Sequence, residues 1–537
     1  MTRPHALASS HIGVAVAAFA VASAMGVLQG LSVADVEFPQ RDAGLYYIAV
    51  TAHGVLMALV FTTFFIMGLG YALAQESLGR IVGRTWAWSA FWLASIGSTM
   101  AAVTILRGQS TVLYTFYPPL QAHPLFYIGA TLLVVGSWIW GGVIIASYRS
   151  WRHAHPGVPA PLSIHGMLAT IIVWYLATTG LALEVVGMLI PWSLGLVPTV
   201  DPMVARTLFW WFGHPFVYFL LMPAYVIWYT VLPRVAGGRL FSDSLGRMVF
   251  ILFVVLSTPV GFHHQFADPG ISASWKLAHT ITTFAVIYPS FVTAFTIIAS
   301  LEIAGRMRGA RGLFNWIGRL PWSDPVFASI ALAMISFAFG GFGGAINAAY
   351  AMNGMVHNTA WIQGHFHVTL GTTMTLTFMG TTYWLLPRML GRALRFRGLA
   401  IAQPYLWTAG MALFSTSYHI AGLRGLPRRV YSAALSGADG GAWQSLTVVA
   451  AVGGVILFVS ALAFVIVVAA TWMRRQTGEA PAFEFAQALR PATALGIWDR
   501  FGLWTILAIL LVAAAYAYPL MTLLAHPRYG SPGFKPF

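Results

Sequence analysis

The segment "WWFGHPFVYFLLMPAYVIWY", residues 210–229, places polar side chains inside a long apolar run. His214 stands four residues before Tyr218, and further tyrosines follow at positions 225 and 229. Residues four apart lie on the same face of a helix, so the His214 and Tyr218 side chains are predicted to be neighbours. What such a pair can do depends on the medium around the helix.

The whole chain has the composition of an integral membrane protein. Of its 537 residues, 58% are hydrophobic and 8% are charged, whereas soluble domains carry about 25% charged residues. There is no cysteine, which excludes disulfides, iron–sulfur clusters and thiolate metal sites on this chain. The net charge of +15 does not indicate nucleic-acid binding, because the basic residues fall in short gaps between apolar runs.

Apolar runs long enough to cross about 30 Å of hydrocarbon predict an all-α polytopic fold with about 13 transmembrane helices. The runs begin near residues 10, 47, 84, 122, 163, 204, 246, 274, 324, 359, 402, 442 and 498. No segment is polar enough for a separate soluble domain, so residues 1–537 are predicted to form a single transmembrane domain. Most Lys and Arg residues fall at the N-terminus and in alternate links, which predicts a cytoplasmic N-terminus and an outer C-terminus.

Several histidines lie at predicted membrane depth, where an ionisable side chain is costly unless it is paired, neutral or metal-bound. A lone histidine can simply form a hydrogen bond between helices, and His11, His165 and His279 keep that interpretation. The others are grouped, and in the predicted topology all of them fall in the outer halves of their spans: His53, His214, His263, His264, His365 and His367.

Two of these groups have informative spacing. In "HFH", His365 and His367 are two residues apart, which turns their side chains by about 200° and lets one helix serve two cofactors. In "GFHHQF", adjacent His263 and His264 follow "STPVG", where the proline and glycine loosen the helix. A third imidazole would complete a copper or zinc site with an open position, and His214 is the candidate.

Four segments together resemble the catalytic subunit I of the haem–copper oxidases: "TAHGVLMALVF", "WWFGHPFVY", "GFHHQFADPG" and "VHNTAWIQGHFH". Within that superfamily, "LSTPVGFHHQFADPG" and "LPRRVY" are most similar to the B-type branch, which includes ba3-type cytochrome c oxidase. The resemblance implies a terminal respiratory oxidase of a prokaryotic cell membrane. Such an enzyme reduces dioxygen to water with electrons from cytochrome c and pumps protons outward.

The resemblance also implies a ligand set of two haems and one copper ion. His53 and His367 would be the axial ligands of a low-spin haem, and His365 would ligate the iron of a high-spin haem. The copper would be held by His214, His263 and His264. An axial histidine serves haems a, b and o alike, so the haem side groups stay open; we expect b type for the low-spin haem and a, o or b type for the other.

In this family the residues corresponding to His214 and Tyr218 are covalently joined. Splitting the O–O bond in one step takes four electrons, and a tyrosine beside the copper can supply one together with its proton. Hydroxyl groups can order a water chain for protons, and the resemblance implies one uptake route through Tyr218, Tyr225, Tyr229, Ser242, Thr293 and Thr296. Phe216 replaces the glutamate that serves a second route in A-type enzymes, so that route should not operate here.

Arg428 and Arg429 lie in an outer link, where their guanidinium groups are predicted to bind haem propionates. His357 and Asn353 are predicted to hydrogen-bond the propionates as well. The B-type relatives have an aspartate at the position of Asn353, and an amide cannot take up a proton. The amide therefore argues against a proton-loading role at position 353.

The predicted partners follow from what the chain lacks. A two-copper centre needs cysteines, so a subunit II must carry it between cytochrome c and this chain, and a small single-helix subunit is a further possible partner. One alternative is a nitric oxide reductase of the same superfamily, which the intact Tyr218 and three copper-site histidines disfavour. A second alternative, a transporter that uses the histidines as a proton relay, predicts no bound haem.

Overall fold

The computed structural model describes residues 5–36, 42–434, 440–475, 480–527 and 529–535. We number its long helices in chain order: α1 Ala6–Val33, α2 Ala43–Leu78, α3 Arg84–Leu106, α4 Pro124–Ala154, α5 Leu162–Ser193, α6 Pro202–Val235, α7 Asp243–Gln265, α8 Ala273–Met307, α9 Pro325–Ala348, α10 361–390, α11 Arg397–Leu423, α12 Gly440–Met473 and α13 Phe501–Ala525. Short helices lie at Asn315–Gly318, Tyr350–Val356 and Ile497–Asp499. The predicted all-α fold is confirmed.

Within the described ranges, eleven helices are long and apolar enough to cross a membrane. The two that do not qualify are α10 and α11, which lie where spans were predicted near residues 359 and 402. Helix α10 is rich in threonine, and α11 contains charged and amide side chains. The count of about 13 spans therefore stays a prediction, although a helix lies at every predicted position.

Two helices begin where the sequence supplies an acidic cap followed by proline. The Asp201 carboxylate accepts hydrogen bonds from the backbone N–H groups of Met203 and Val204, at 2.7 and 3.2 Å, at the start of α6. The Asp324 carboxylate caps α9 in the same way. Each is followed by a proline at the first helical position, where the missing N–H costs nothing. These caps set where the site-bearing helices start.

Close packing between neighbouring helices positions the site. Helices α5 and α6 pack against one another, as do α3 with α4 and α11 with α12. At Gly180 on α5, an added Cβ would lie 2.9 Å from the Leu208 carbonyl oxygen and 2.8 Å from the Trp211 ring of α6. Only glycine allows this approach, so the contact fixes the antiparallel register of α5 on α6.

Helix α7 ends in a break that turns two histidines toward α6. The regular helix stops at Ser257, and Phe262–Gln265 form one 3₁₀ turn. The backbone N–H groups of Gly261 and Phe262 both donate to Nδ1 of His279 on α8, at 3.1 and 3.2 Å. His279 therefore has the interhelical hydrogen-bonding role expected of it, and it holds the turn that carries His263.

A buried ionic cluster ties the start of α13 to α5 and α7. Arg247 donates to Asp499 at 2.8 Å and to Asp243 at 2.6 Å, and Nδ1 of His165 lies 3.6 Å from Asp499. Burial alone would raise the pKa of Asp499, but the hydrogen bond from His165 and the Arg247 charge hold that pKa at about 2. His165 thus makes the interhelical contact expected of it.

We expect Asp499→Asn to lower the thermal unfolding midpoint at pH 7, by an amount equivalent to roughly 2 kcal/mol for a lost charged hydrogen bond. Because the folded-state pKa lies below the unfolded value of about 3.9, the carboxylate stabilises the fold above that value and loses its effect as the pH falls through the folded pKa. The gap between wild type and variant should therefore close between about pH 4 and pH 2, as measured by circular dichroism melting in detergent.

The matched control is Glu484→Gln, which breaks the exposed Arg234–Glu484 pair on the same side of the protein. The Glu484 side chain is 52% exposed, against 6% for Asp499, so its loss should cost under about 1 kcal/mol. A pH-independent gap for Asp499→Asn would refute the electrostatic origin of the stabilisation.

Candidate metal centre

Three imidazoles meet where the break in α7 faces α6. The ligand atoms of His214, His263 and His264 all lie within 4.8 Å of one another. His214 Nδ1 is 3.3 Å from His264 Nε2, and the His263 and His264 ring centroids are 4.1 Å apart. His214 and His263 are buried, where a shared metal ion would satisfy the ring nitrogens. The structure therefore brings together the three predicted copper ligands.

Residues around the three imidazoles orient them. Nδ1 of His263 is 3.0 Å from the hydroxyl of Thr283 on α8. That hydroxyl donates its own hydrogen to the His279 carbonyl, so it must accept the proton carried by Nδ1 and leave Nε2 free as a ligand. The Trp210 ring stacks on His264 with centroids 3.8 Å apart and planes 3° apart, which fixes the plane of that imidazole.

Tyr218 lies beside this cluster. Its ring centroid is 4.9 Å from that of His214, one turn earlier on α6. Nε2 of His214 is buried and has no hydrogen-bond partner in the described residues, while Nδ1 faces His264. The two nitrogens of His214 thus have different roles: Nδ1 faces the metal position, and Nε2 is available to Tyr218.

His53 on α2 and His367 on α10 form a second pair. Their rings are 10° from parallel, with centroids 6.0 Å apart. Nδ1 of His53 donates to the Ala22 carbonyl and Nδ1 of His367 to the Gln363 carbonyl, both at 2.8 Å. A metal–imidazole bond is about 2.0 Å. Two such bonds, together with the distance from each Nε2 atom to the centroid of its own ring, match this separation. The pair fits one metal ion held between two Nε2 atoms.

His365 faces the other flank of α10. An added Cβ at Gly343 of α9 would lie 2.7 Å from Nδ1 of His365, so the imidazole lies directly against the α9 backbone. His367 instead contacts Phe414 of α11 and the ring of His53. Helix α10 therefore presents its two histidines to different sides, as the "HFH" spacing predicts.

Arg428 is a partly buried cation whose guanidinium lies 5.9 Å from the ring of Phe366, the residue between the two α10 histidines. It donates to the Tyr114 hydroxyl, and its buried Nε has no partner in the described residues. Burial and the neighbouring Arg429 charge lower the pKa of Arg428. A buried cation with a free donor is the expected complement of a carboxylate such as a haem propionate.

The structure pairs His357 with Asn353. Nδ1 of His357 is 3.1 Å from the Asn353 Oδ1, and the Asn353 amide donates to the Asn347 carbonyl at 2.7 Å. Burial lowers the pKa of His357, partly offset by the charge of Asp268, which is itself bound by Arg206 at 2.8 Å. His357 and Asn353 thus form one unit near Arg428, and the other ring nitrogen of His357 stays available to a ligand.

The hydroxyl groups predicted for proton uptake form pairs between α6 and α8. Tyr225 donates to Ser290 and Tyr229 to Thr293, each at 3.2 Å. Thr296 lies next to Tyr229. These groups are buried or half-buried.

Ser242 has a different local role, because its hydroxyl caps α7 by accepting the Leu245 N–H at 3.3 Å. Its place in a proton route stays a prediction. Sequence reasoning missed Ser290 and Thr283. Ser290 lies three residues before Thr293 on the same face of α8, and Thr283 lies four residues after His279, so helical spacing was the available signal.

Comparison with known proteins identifies the family of this chain. The family model for cytochrome c and quinol oxidase polypeptide I matches residues 6–456. The chain belongs to that family. It is 43% identical over 524 residues to cytochrome c oxidase subunit 1 of Thermus thermophilus, covering 95% of this chain and 93% of that protein. It is 25% identical to quinol oxidase subunit 1 of Bacillus subtilis, covering 78% of this chain and 64% of that protein.

A solved structure of a heme-copper terminal oxidase dimer superposes with a TM-score of 0.95 at 36% identity, covering 99% of this chain and 95% of that one. The chain is thus a multi-pass membrane oxidoreductase of a family whose cofactors are haems and copper, and which works within a larger assembly.

We expect Thr283→Val to weaken copper binding by about 10–100-fold, the usual effect of removing a group that orients a metal ligand. Valine keeps the shape of threonine but cannot accept the Nδ1 proton of His263. The measurement is the copper-to-haem ratio after equilibration against a graded copper chelator.

The control is Thr282→Val on the same helix, whose hydroxyl bonds backbone carbonyls of its own helix. Equal copper retention in Thr283→Val and Thr282→Val would mean that Thr283 does not orient His263.

Proposed function

We propose that the chain is the catalytic subunit of a B-type terminal respiratory oxidase. It reduces dioxygen to water with electrons from a c-type cytochrome and couples the reaction to outward proton pumping. The observation that carries the proposal is the cluster of His214, His263 and His264 within 4.8 Å, with Tyr218 directly against it. A nitric oxide reductase would not need that phenol beside three intact imidazoles.

The residues fit two haems and one copper ion. His53 and His367 would hold a low-spin haem, because both present Nε2 with Nδ1 bonded to a carbonyl. We propose b type for this haem from the family resemblance alone. His365 would hold a high-spin haem of a, o or b type on the opposite flank, and the three clustered imidazoles would hold the copper. Arg428 and Arg429, with His357 and Asn353, would bind the propionates; the unpartnered Nε of Arg428 supports this.

When bound, the two haems and the copper supply the electron transfer and the open metal positions that dioxygen reduction requires. Tyr218 contributes a proton from its hydroxyl, and one electron with it. The phenol lies in a buried environment, where a separated charge is costly. Its loss of a proton and an electron together leaves no net charge behind, which favours coupled transfer.

Protons for the reaction would reach Tyr218 from the cytoplasmic side along α6 and α8. The Tyr229–Thr293 and Tyr225–Ser290 pairs, with Thr296 beside them, supply hydroxyls that both donate and accept. Tyr225 lies seven residues from Tyr218, about 10 Å along the helix. Ordered water would bridge that interval. Phe216 cannot hold a proton, so no second proton-uptake route would pass through that position.

We further propose that residues 1–537 act as one transmembrane domain of a prokaryotic cell membrane, with the N-terminus cytoplasmic and the C-terminus outside. Electrons would arrive from cytochrome c through a subunit II that carries a two-copper centre, because this chain has no cysteine to build one. A small single-helix subunit would complete the assembly.

The test is a reduced-minus-oxidised absorption spectrum of the purified complex, with and without carbon monoxide, together with metal analysis. Two haems, one of which binds carbon monoxide, with one copper and turnover on dioxygen are expected. Non-haem iron in place of copper, with turnover on nitric oxide, would identify a reductase, and a protein without haem would support the transporter alternative.

We expect Tyr218→Phe to lower dioxygen turnover by at least about 100-fold, because phenylalanine has no proton to transfer. Haem content and copper content should stay at wild-type levels. Tyr383→Phe is the matched control, a buried tyrosine on α10 whose hydroxyl faces Gln403 and no metal ligand. If Tyr218→Phe retains wild-type turnover, the phenol is not part of the reaction.

We expect Tyr229→Phe to slow dioxygen turnover by about 10-fold or more through slower proton delivery, a step that proton-transfer groups typically accelerate by roughly 10²–10⁴. The readout is the rate of proton uptake from the cytoplasmic side after a single-turnover oxidation. Tyr71→Phe is the control, since that buried hydroxyl has no partner in the described residues. A slow turnover with an unchanged proton-uptake rate would remove Tyr229 from the route.

A further inference from the structure

Glu184 is a buried acid that the proposed reaction does not use. It lies at the end of the regular part of α5, immediately before the π-helical segment Val185–Leu189. The residue is fully buried, and both carboxyl oxygens lack a hydrogen-bond partner among the described residues. Among the described residues, no cationic side chain lies within ion-pair distance of Glu184.

An isolated carboxylate in such a place would be very costly, so the Glu184 side chain is held as the neutral acid. A neutral carboxyl still has one donor and several acceptor positions to satisfy. Buried polar atoms without protein partners are normally satisfied by ordered water. The position therefore combines a transferable proton with a requirement for water.

The level of Glu184 follows from the contact between α5 and α6. Gly180 lies against Leu208 and Trp211, and the two helices run antiparallel. One turn further along α5, Glu184 lies at the level of residues 204–207. That is seven to ten residues outward of His214, or about 10–15 Å along the axis. Glu184 thus lies between the metal centre and the outer surface of the proposed topology.

A polar pair occupies the same level on the side of the metal centre. The Gln265 amide donates to the hydroxyl of Thr207 at 3.3 Å, and the Gln265 Oε1 is buried without a partner in the described residues. Gln265 directly follows His264 in the sequence. Neither side chain is charged, and Arg206, the cation next to Thr207, is bound to Asp268. The pair therefore reaches from the turn that carries His264 to the level of Glu184, and its free acceptor could bind a water there.

A tyrosine lies on the outward side. Tyr127 of α4 is a titratable group near Glu184. The Tyr127 hydroxyl oxygen accepts the Ala122 N–H at 3.2 Å, so its own hydrogen stays available for donation. Tyr127 lies in the first turn of α4, next to the outer link that carries His123. It connects the buried acid to the outer face.

We propose that Glu184 is a proton-holding residue on the outer side of the metal centre. This inference rests on the proposed oxidase function. During turnover its carboxyl releases one proton outward past Tyr127. It then regains one proton through water at Thr207 and Gln265. Only O–H bonds of the carboxyl and of the relaying groups break and form, and each relaying group ends with the protons it had, so each cycle moves one proton outward and leaves Glu184 neutral.

The π-helical segment supports this role. A π turn adds a residue to the helix and is frequent at functional sites. Here it directly follows Glu184 and packs against α4, the helix of Tyr127. An apolar side chain could fill a purely structural role at this position, because it needs no water and carries no desolvation cost.

The experiment compares Glu184→Gln with the wild-type complex reconstituted in vesicles. We expect protons ejected per electron to fall at least twofold. We also expect the reduced-minus-oxidised infrared spectrum to lose a carbonyl band of a protonated carboxyl, which should reappear shifted in Glu184→Asp. Glu302→Gln is the control, because Glu302 is exposed and paired with Arg306; it should keep the wild-type ratio and spectrum.

An unchanged proton-to-electron ratio in Glu184→Gln would overturn the proposal. If that variant does not assemble, the infrared spectra of wild type and Glu184→Asp decide alone: the same carboxyl band at the same position in both would also overturn it. Failure of the oxidase assignment looks different, because the wild-type complex would then lack haem absorption or dioxygen turnover.

Discussion

The hydrogen bonds from histidine Nδ1 atoms to oxygen acceptors organise the rest of the site. At membrane depth no bulk water competes for these donors, so a carbonyl or a hydroxyl holds three of the imidazoles in one tautomer. His53 and His367 use the carbonyls of Ala22 and Gln363, and His263 uses Thr283. In every case Nε2 is left as a lone-pair donor aimed away from the backbone. The helices therefore deliver prepared ligands, and metal binding need not reorder them.

Sequence patterns could predict the helices and the grouping of the ligands, because both follow from simple periodicities. Long apolar runs specify spans, and the two-residue spacing of His365 and His367 is enough to place them on opposite flanks. The pairing of His53 with His367, 6.0 Å apart, joins two distant parts of the sequence. Only the family resemblance predicted that contact, because spacing within one helix says nothing about which helix lies opposite.

The residues that sequence reasoning missed share a physical reason. Thr283 and Ser290 look like ordinary helix threonine and serine, which usually bond a carbonyl of their own helix. Thr283 does so as well, donating to His279, and its role at His263 comes from the lone pair that remains. Ser242 differs, because the family resemblance implied a proton carrier, which stays a prediction, and the structure shows its hydroxyl capping a helix. Hydroxyl function depends on the neighbour across the interface, which is a tertiary property.

Three π-helical segments interrupt otherwise regular helices in the described part of the chain, and each lies beside a residue of the proposed machinery. They are Leu56–Phe61, soon after His53, Val185–Leu189, after Glu184, and His367–Met374, which begins at an axial ligand. An extra residue in a turn leaves carbonyls without their usual partners, which is costly away from water. Within the last segment and directly after it, Thr373 and Thr375 donate to the carbonyls of Val368 and Leu370, five residues earlier. Threonines in α10 thus offset the cost of the distortion, and the same threonines lower the apolarity of a helix that carries two predicted haem ligands.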